Sequence, residues 1–312
     1  MRPIVIAHRG ASGYLPEHTF GAKTLAHEMG ADYLEQDIVA SRDDELIVLH
    51  DIHLDRVTDV AMRYPNRHRV DGRFYARDFD LAEIRSLKCW ERMRADGSTV
   101  YPQRYPAKSG DFRLHTLAEE LDLVRRLNAQ ANRRAGVYPE IKRPAWHRQE
   151  GVDITPELLR VLAEFGYTHR EDPVFVQCFD PAEVRRLRRE LDCPFKLVQL
   201  IGENSWSEAE TDFDAMRTAN GIAEIATVAD AIGPHLTHLY DFRPQNEAVV
   251  PTRLSQWAHD AGLTVHPYTF RVDELPPGFH SFDELVEFFI VNVGVDGLFT
   301  DFPDRVLQLR IP

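Results

Sequence analysis

The hydrophobic positions of this 312-residue chain fall into a repeating rhythm. Short apolar runs alternate with longer stretches whose apolar residues recur every three or four positions. The first run, "PIVIAHRG", is a buried-type strand ending in His8-Arg9-Gly10. In "EHTFGAKTLAHEMGA" that follows, Phe20, Leu25 and Met29 lie near one stripe and Gly30 is a natural stop, so a helix is expected. "YLEQDIVASRDDELIVLHD" then reads as a strand, a tight polar turn and a second strand. Residues about 52–113 break the rhythm: they are charged, aromatic and punctuated, with one short helical pattern, "DLAEIRSLKCW". Beyond them the alternation returns. "HTLAEELDLVRRLNAQ" predicts a helix capped by Thr116, with Glu119 at the capping-box distance. "DPAEVRRLRREL" predicts another, with Asp180 as N-cap and Pro181 at its first position. Further helices are expected near 155–165, 252–261 and in "SFDELVEFFIVNVG", with a mixed helical segment to about 229.

Strands alternating with helices imply parallel pairing, in a doubly wound sheet or a barrel. Counting decides between them. "ASRDDELI" is too short for a crossover helix, which needs about a dozen residues, so Leu46–His50 must return antiparallel as a hairpin. The wall strands are then 4–8, 33–37, 137–141, 174–178, 195–200, 230–234, 263–268 and 297–300. That makes eight, the number a (β/α)8 TIM barrel closes with. The expected organisation is one barrel domain over 1–312, with 52–113 inserted after the strand-2 hairpin, near the mouth. If Asp43-Asp44 are the two turn residues, Asp37 faces His50 and Glu35 faces Ile52 across the hairpin.

Composition narrows the partners. A net charge of −13 argues against nucleic acid or anionic membrane as the main partner. No apolar run approaches the roughly 20 residues that span a bilayer. Cys89, Cys178 and Cys193 show no metal spacing and read as buried or free thiols. The apolar strand begins almost at Met1, so the chain as written predicts a cytoplasmic protein; a mature exported, periplasmic protein would read the same.

The chemistry gathers at the strand C-termini, where barrel active sites form. Strand 1 delivers His8 and Arg9, strand 2 Glu35 and Asp37, strand 3 Glu140 and Lys142. Strand 4 ends in Gln177 and Phe179, strand 7 carries His266 and Tyr268, and strand 8 ends in Asp301. Two carboxylates on one strand face cost free energy unless compensated. Three converging carboxylates with only oxygen donors suit a hard cation, Ca²⁺ or Mg²⁺. Two histidines beside a cation and an Arg/Lys pair suggest acid–base work on a phosphate ester. Glu17 and His18, just after strand 1, either reach the mouth or cap the first helix. Phe74, Tyr75, Trp90, Tyr101 and Tyr105 in the insertion either form a local core or bind a choline-like cation.

At these residues the chain resembles a known family. "AHRGASGYLPEHT", "YLEQDIVASRDDELIVLHD", "YPEIK" and "GLFTDFPD" are similar to the motifs of glycerophosphodiester phosphodiesterases, and "LHDIHLDRVTDV", "QCFD", "KLVQLI" and "VHPYT" extend the likeness to the larger bacterial, periplasmic type. The resemblance implies a barrel of the phospholipase-C-like type. It implies His8 and His50 as the acid/base pair and Glu35, Asp37 and Glu140 as ligands of one divalent cation, usually Ca²⁺ in this type and Mg²⁺ in others. It places Arg9 and Lys142 on phosphate; Glu17, Gln177, Phe179 and His266 are further candidate substrate contacts by their positions along the chain. The expected reaction splits small glycerophosphodiesters into sn-glycerol 3-phosphate and an alcohol, and a homodimer is compatible with it. A phospholipase acting on lysophospholipids through the same residues is the second enzyme reading, and a non-catalytic phosphodiester-binding barrel the third. A glycosidase would leave Arg9, Lys142 and both histidines without a purpose.

Overall fold

A computed structural model describes residues 2–309. Among them eleven strands form. Eight run parallel: β1 (Ile4–Ala7), β2 (Tyr33–Ala40), β4 (Gly136–Ile141), β5 (Phe175–Cys178), β6 (Lys196–Ile201), β7 (Ala231–Pro234), β10 (Thr264–Val265) and β11 (Gly297–Thr300). The sheet order is β10-β7-β6-β5-β4-β2-β1-β11, and the two ends meet through a parallel bridge between Phe270 and Thr300. The result is a nearly closed α/β barrel of eight parallel strands. β3 (Leu46–Val48) returns antiparallel on β2.

The helices arise from the sequence signals that predict them. Thr19 caps the helix Phe20–Met29, and Gly30 ends it at φ 103°. Thr116 and Glu119 form the reciprocal capping box of Leu117–Ala131. Asp180 caps Pro181–Arg189. Outward strand residues such as Leu34, Ile38, Val137 and Val176 pack against these helices in the main core. Inward residues form a second, smaller cluster of Ile6, Tyr138, Phe175, Val198, Ala231 and Phe299 inside the barrel.

This alternation places the chemistry. On each strand the inward residue two positions after a core residue lies one layer higher: Ile6 then His8, Tyr33 then Glu35 and Asp37, Tyr138 then Glu140, Phe175 then Gln177. The register agrees, pairing Asp37 with Glu140 and Glu140 with Gln177.

Two sequence expectations are corrected. The hairpin pairs Ile38 with Val48 and Ala40 with Leu46, so Asp37 faces Leu49, not His50. The turn has three residues, 42–44, and its last, Asp44, adopts φ 63°. Second, the chain between β7 and the next helix forms an unforeseen hairpin, β8 (Tyr240–Arg243) and β9 (Ala248–Pro251).

Residues 52–113 contribute Leu54, Val57, Phe74, Phe79, Ile84 and Leu87 to a separate hydrophobic cluster that includes Val39, Ile47 and Leu49 of the hairpin. The three cysteines are free and buried. No helix among the described residues is long and apolar enough to cross a membrane.

Candidate active site

The barrel mouth holds a cavity of about 280 Å³. His8, Arg9, Glu35, Asp37, His50, Glu140, Lys142, Gln177 and Phe179 line it, so nine of the sequence-derived site residues converge there.

At its floor, ligand oxygens of Glu35, Asp37 and Glu140 lie within 4.8 Å of one another. Glu35 accepts the Arg9 backbone N–H at 2.8 Å and the Gln177 amide at 2.9 Å. Asp37 accepts from His18 Nε2 at 2.6 Å through one oxygen, while its Oδ1 is buried with no partner among the described residues. Lys142 Nζ sits 2.8 Å from Glu140. Burial and the neighbouring Asp37 charge push Glu35 up to about 8. Burial would also raise Asp37, but Lys142 and His18 outweigh it and hold that carboxyl well below its usual range. Burial carries Glu140 upward in spite of Lys142. Burial and mutual repulsion make the three carboxylates costly to ionise together, and a buried oxygen stands unpartnered among the described residues. That donor set is compatible with a divalent cation.

Two of the lining histidines, His8 and His50, each have their own carboxylate. The Nδ1–H of His8 donates to Asp301 Oδ1 at 2.6 Å, and that of His50 donates to Asp51 Oδ1 at 2.7 Å. Arg271 and Arg104 hold Asp301 well below the carboxylate range against its burial, so it is an acceptor only and the proton belongs to His8 Nδ1. Arg92 and His50 hold Asp51 in the same way. Neither Nε2 makes a hydrogen bond among the described residues; that of His8 lies 3.9 Å from Glu35 Oε2. Burial, with Arg9 next, lowers them to about 4 for His8 and about 3 for His50, so both are neutral at pH 7.

Local backbone serves this arrangement. Arg9 takes a positive φ of 59°, which turns its N–H toward Glu35. Gly10 follows at φ 90°, and a Cβ there would meet the Ala22 carbonyl carbon at 2.8 Å.

Glu17 stands behind the cavity. Its carboxylate accepts a two-pronged contact from Arg92, at 2.6 and 2.9 Å, and a weaker one from Arg9. It braces Arg9 instead of facing the cavity. His266 is absent from the mouth: it lies one layer down, accepting or donating with Tyr138 Oη at 2.8 Å and packed edge-on to Phe175. Tyr268, two positions on, takes the lining place.

Of the two readings of the insertion aromatics, a local core or a site for a choline-like cation, the packing favours the first. Phe74 is core, Tyr75 stacks on Trp146, Tyr105 packs on Phe112, and Tyr101 has the Arg104 guanidinium 3.7 Å from its ring centroid. Sequence reasoning left out Arg92, Arg104 and Arg271, gave Asp51 and Asp301 no role, and left His18 between the mouth and the first helix cap; it bonds Asp37 at the floor. "LHD" and "TDFPD" hold signals for the two aspartates; nothing local marks the arginines, which arrive from distant segments.

Comparisons with known proteins place the chain in a family and its fold among solved structures. The model of the glycerophosphoryl diester phosphodiesterase family matches residues 8–305. A glycerophosphodiester phosphodiesterase of Haemophilus influenzae is 41% identical over 98% of this chain and 89% of its own. One of Treponema pallidum is 37% identical over 96% of this chain and 90% of its own. The fold is similar to that of an Agrobacterium tumefaciens glycerophosphodiester phosphodiesterase, with a TM-score of 0.63 and 20% identity over 99% of this chain and 100% of the other. It is also similar to an Oleispira antarctica phosphodiesterase solved with its product sn-glycerol-3-phosphate, with a TM-score of 0.63 and 19% identity over 98% and 96%. Matched from the end of its first strand to its last helix, and related at this level over nearly its whole length, the chain belongs to the glycerophosphoryl diester phosphodiesterase family.

Proposed function

We propose that the protein hydrolyses glycerophosphodiesters, such as glycerophosphocholine and glycerophosphoethanolamine, to sn-glycerol 3-phosphate and an alcohol, with one divalent cation and two histidines. The observation that carries this reading is the pair His8 and His50, each fixed at Nδ1 by its own aspartate, beside the three-carboxylate floor.

Glu35, Asp37 and Glu140 would hold the cation. When bound, it neutralises the floor and polarises a phosphoryl oxygen. Ca²⁺ fits the all-oxygen donor set, and Mg²⁺ is the alternative. Arg9 and Lys142 present fixed positive charge to the other phosphoryl oxygens. A neutral histidine accepts through Nε2 a proton of the attacking water, whose oxygen forms the new P–O bond. The second histidine, protonated when the anionic phosphate offsets Arg9, gives its proton to the departing alkoxide as the old P–O bond breaks. Asp301 and Asp51 keep each ring in the productive tautomer and stabilise its charged form. Phe179 and Tyr268, on the opposite wall, offer an apolar surface to the glycerol carbons.

The insertion, residues 52–113, shapes the mouth in this reading because Arg92 ties it to Glu17 and Asp51. The test is hydrolysis of glycerophosphocholine by the purified protein. Activity should vanish with EDTA, return with Ca²⁺ or Mg²⁺, and be lost in His50→Ala. Turnover that survives thorough chelation sinks the cation, and near-normal turnover of His50→Ala sinks the acid–base assignment.

A further inference from the structure

A second cavity, of about 220 Å³, opens beyond His8, Arg9 and His50 toward residues 52–113. It shares both histidines, Arg9 and Arg271 with the first. A phosphodiester held at the two histidines with its glycerol over the carboxylate floor therefore has one other place for its alcohol.

Glu91 is the unusual group in that cavity. It is 3% exposed. One oxygen accepts the Arg92 backbone N–H at 3.3 Å; Oε2 is buried without a partner among the described residues. The cations nearby are committed elsewhere: Arg92 to Asp51 and Glu17, Arg104 to Asp273 and Asp301, Arg271 to Asp301 and Glu274. Burial, with Glu17 next, pushes the Glu91 carboxyl up to about 7. A buried carboxylate oxygen with no donor is costly, and a cationic N–H donor relieves both the missing hydrogen bond and the buried charge. A quaternary ammonium relieves only the second, and the one aromatic face in the cavity, Tyr101, is already covered by Arg104.

We propose that Glu91 is a specificity-determining residue that takes the primary ammonium of the leaving alcohol, so that the enzyme favours glycerophosphoethanolamine over glycerophosphocholine. The proposal rests on the phosphodiesterase reading above, in which His8 and His50 flank the phosphate.

The experiment compares kcat/KM for the two substrates in the wild-type protein, Glu91→Gln and Glu91→Asp, with thermal melting of each. The wild type should favour glycerophosphoethanolamine. Glu91→Gln should lose about tenfold or more on that substrate, the worth of a charged hydrogen bond, while glycerophosphocholine is little changed. Glu91→Asp, which keeps the charge, should retain part of the preference and guards against a folding defect in the amide variant. Equal efficiency on both substrates in the wild type, or parallel losses in Glu91→Gln, overturns the subsite alone, with Glu91 then satisfied by water. A wild-type protein that cleaves neither substrate with Ca²⁺ or Mg²⁺ present overturns the phosphodiesterase reading as well.

Discussion

Asp301, just past the last strand, holds the imidazole of His8, just past the first, at 2.6 Å where β11 and β1 run side by side. The same aspartate accepts Arg104 at 2.7 Å and Arg271 at 2.8 Å. Asp301→Asn keeps a side chain of the same shape but lets His8 take the wrong tautomer. The expected outcome is a fall in kcat of about 10²-fold or more with KM nearly unchanged. Steady-state kinetics checks it, with circular dichroism to show that the barrel persists. An unchanged kcat would remove His8 from the proton-transfer steps.

Arg92 joins two half-buried acids that lie 34 positions apart in sequence, Glu17 and Asp51, with contacts of 2.6 Å to each. Arg92→Ala strands both carboxylates and should cost about 3 kcal/mol in urea unfolding. Arg92→Lys restores the charge but not the planar fork, so it should recover most of the stability and less of the turnover.

Cation binding is measurable without catalysis. At 100 times its Kd, a cation held only by the folded state adds about 2.7 kcal/mol, so Ca²⁺ should raise the melting temperature of the EDTA-treated protein. Asp37→Asn should melt below the wild type without cation, because it removes a carboxylate that Lys142 and His18 hold in its ionised form. The same variant should lose the Ca²⁺ response. A Ca²⁺ shift that persists in Asp37→Asn would move the ion elsewhere.

Behind the floor, fully buried Glu120 sits 2.8 Å from Lys23 and 2.7 Å from His115, and Lys23 also donates to the Glu35 carbonyl. Burial opposes ionisation, but Lys23 and His115 outweigh it and bring Glu120 from 4.5 down to about 2. A lowered folded-state pKa adds stability above the unfolded value and forfeits it as pH falls through the folded one. The contribution, about 3 kcal/mol, should be complete above pH 4.5 and disappear as pH approaches 2. Urea midpoints across that window should fall steeply in the wild type and flatten in Glu120→Gln.

Much of this was readable in the chain because strand periodicity is strict. Residues two apart share a face, so Glu35, Asp37, Glu140 and His8 were assigned to one lumen without coordinates. Periodicity does not give depth, and this is why His266 was misplaced: it shares a face with Tyr268 but lies one layer lower, among Tyr138 and Phe175. The hairpin register failed for a related reason. Ser41-Arg42-Asp43-Asp44 accommodates a two- or a three-residue turn, and only the positive φ of Asp44 decides. The site nevertheless keeps His50, because the chain leaves the ladder after Val48 and Asp51 re-aims the ring. The arginines that charge-balance Asp51 and Asp301 were invisible, since pairs 41 and 197 residues apart leave no local pattern.

The contact of Arg92 with Asp51 has a further consequence for how the protein fails. Residues 52–113 keep their own hydrophobic cluster, largely apart from the core that packs the barrel wall. Loosening of that segment would leave the eight-stranded wall standing while releasing the arginine that steadies the partner of His50. Heat or proteolysis would thus silence the enzyme before it unfolds, and lost activity would report first on the segment outside the barrel.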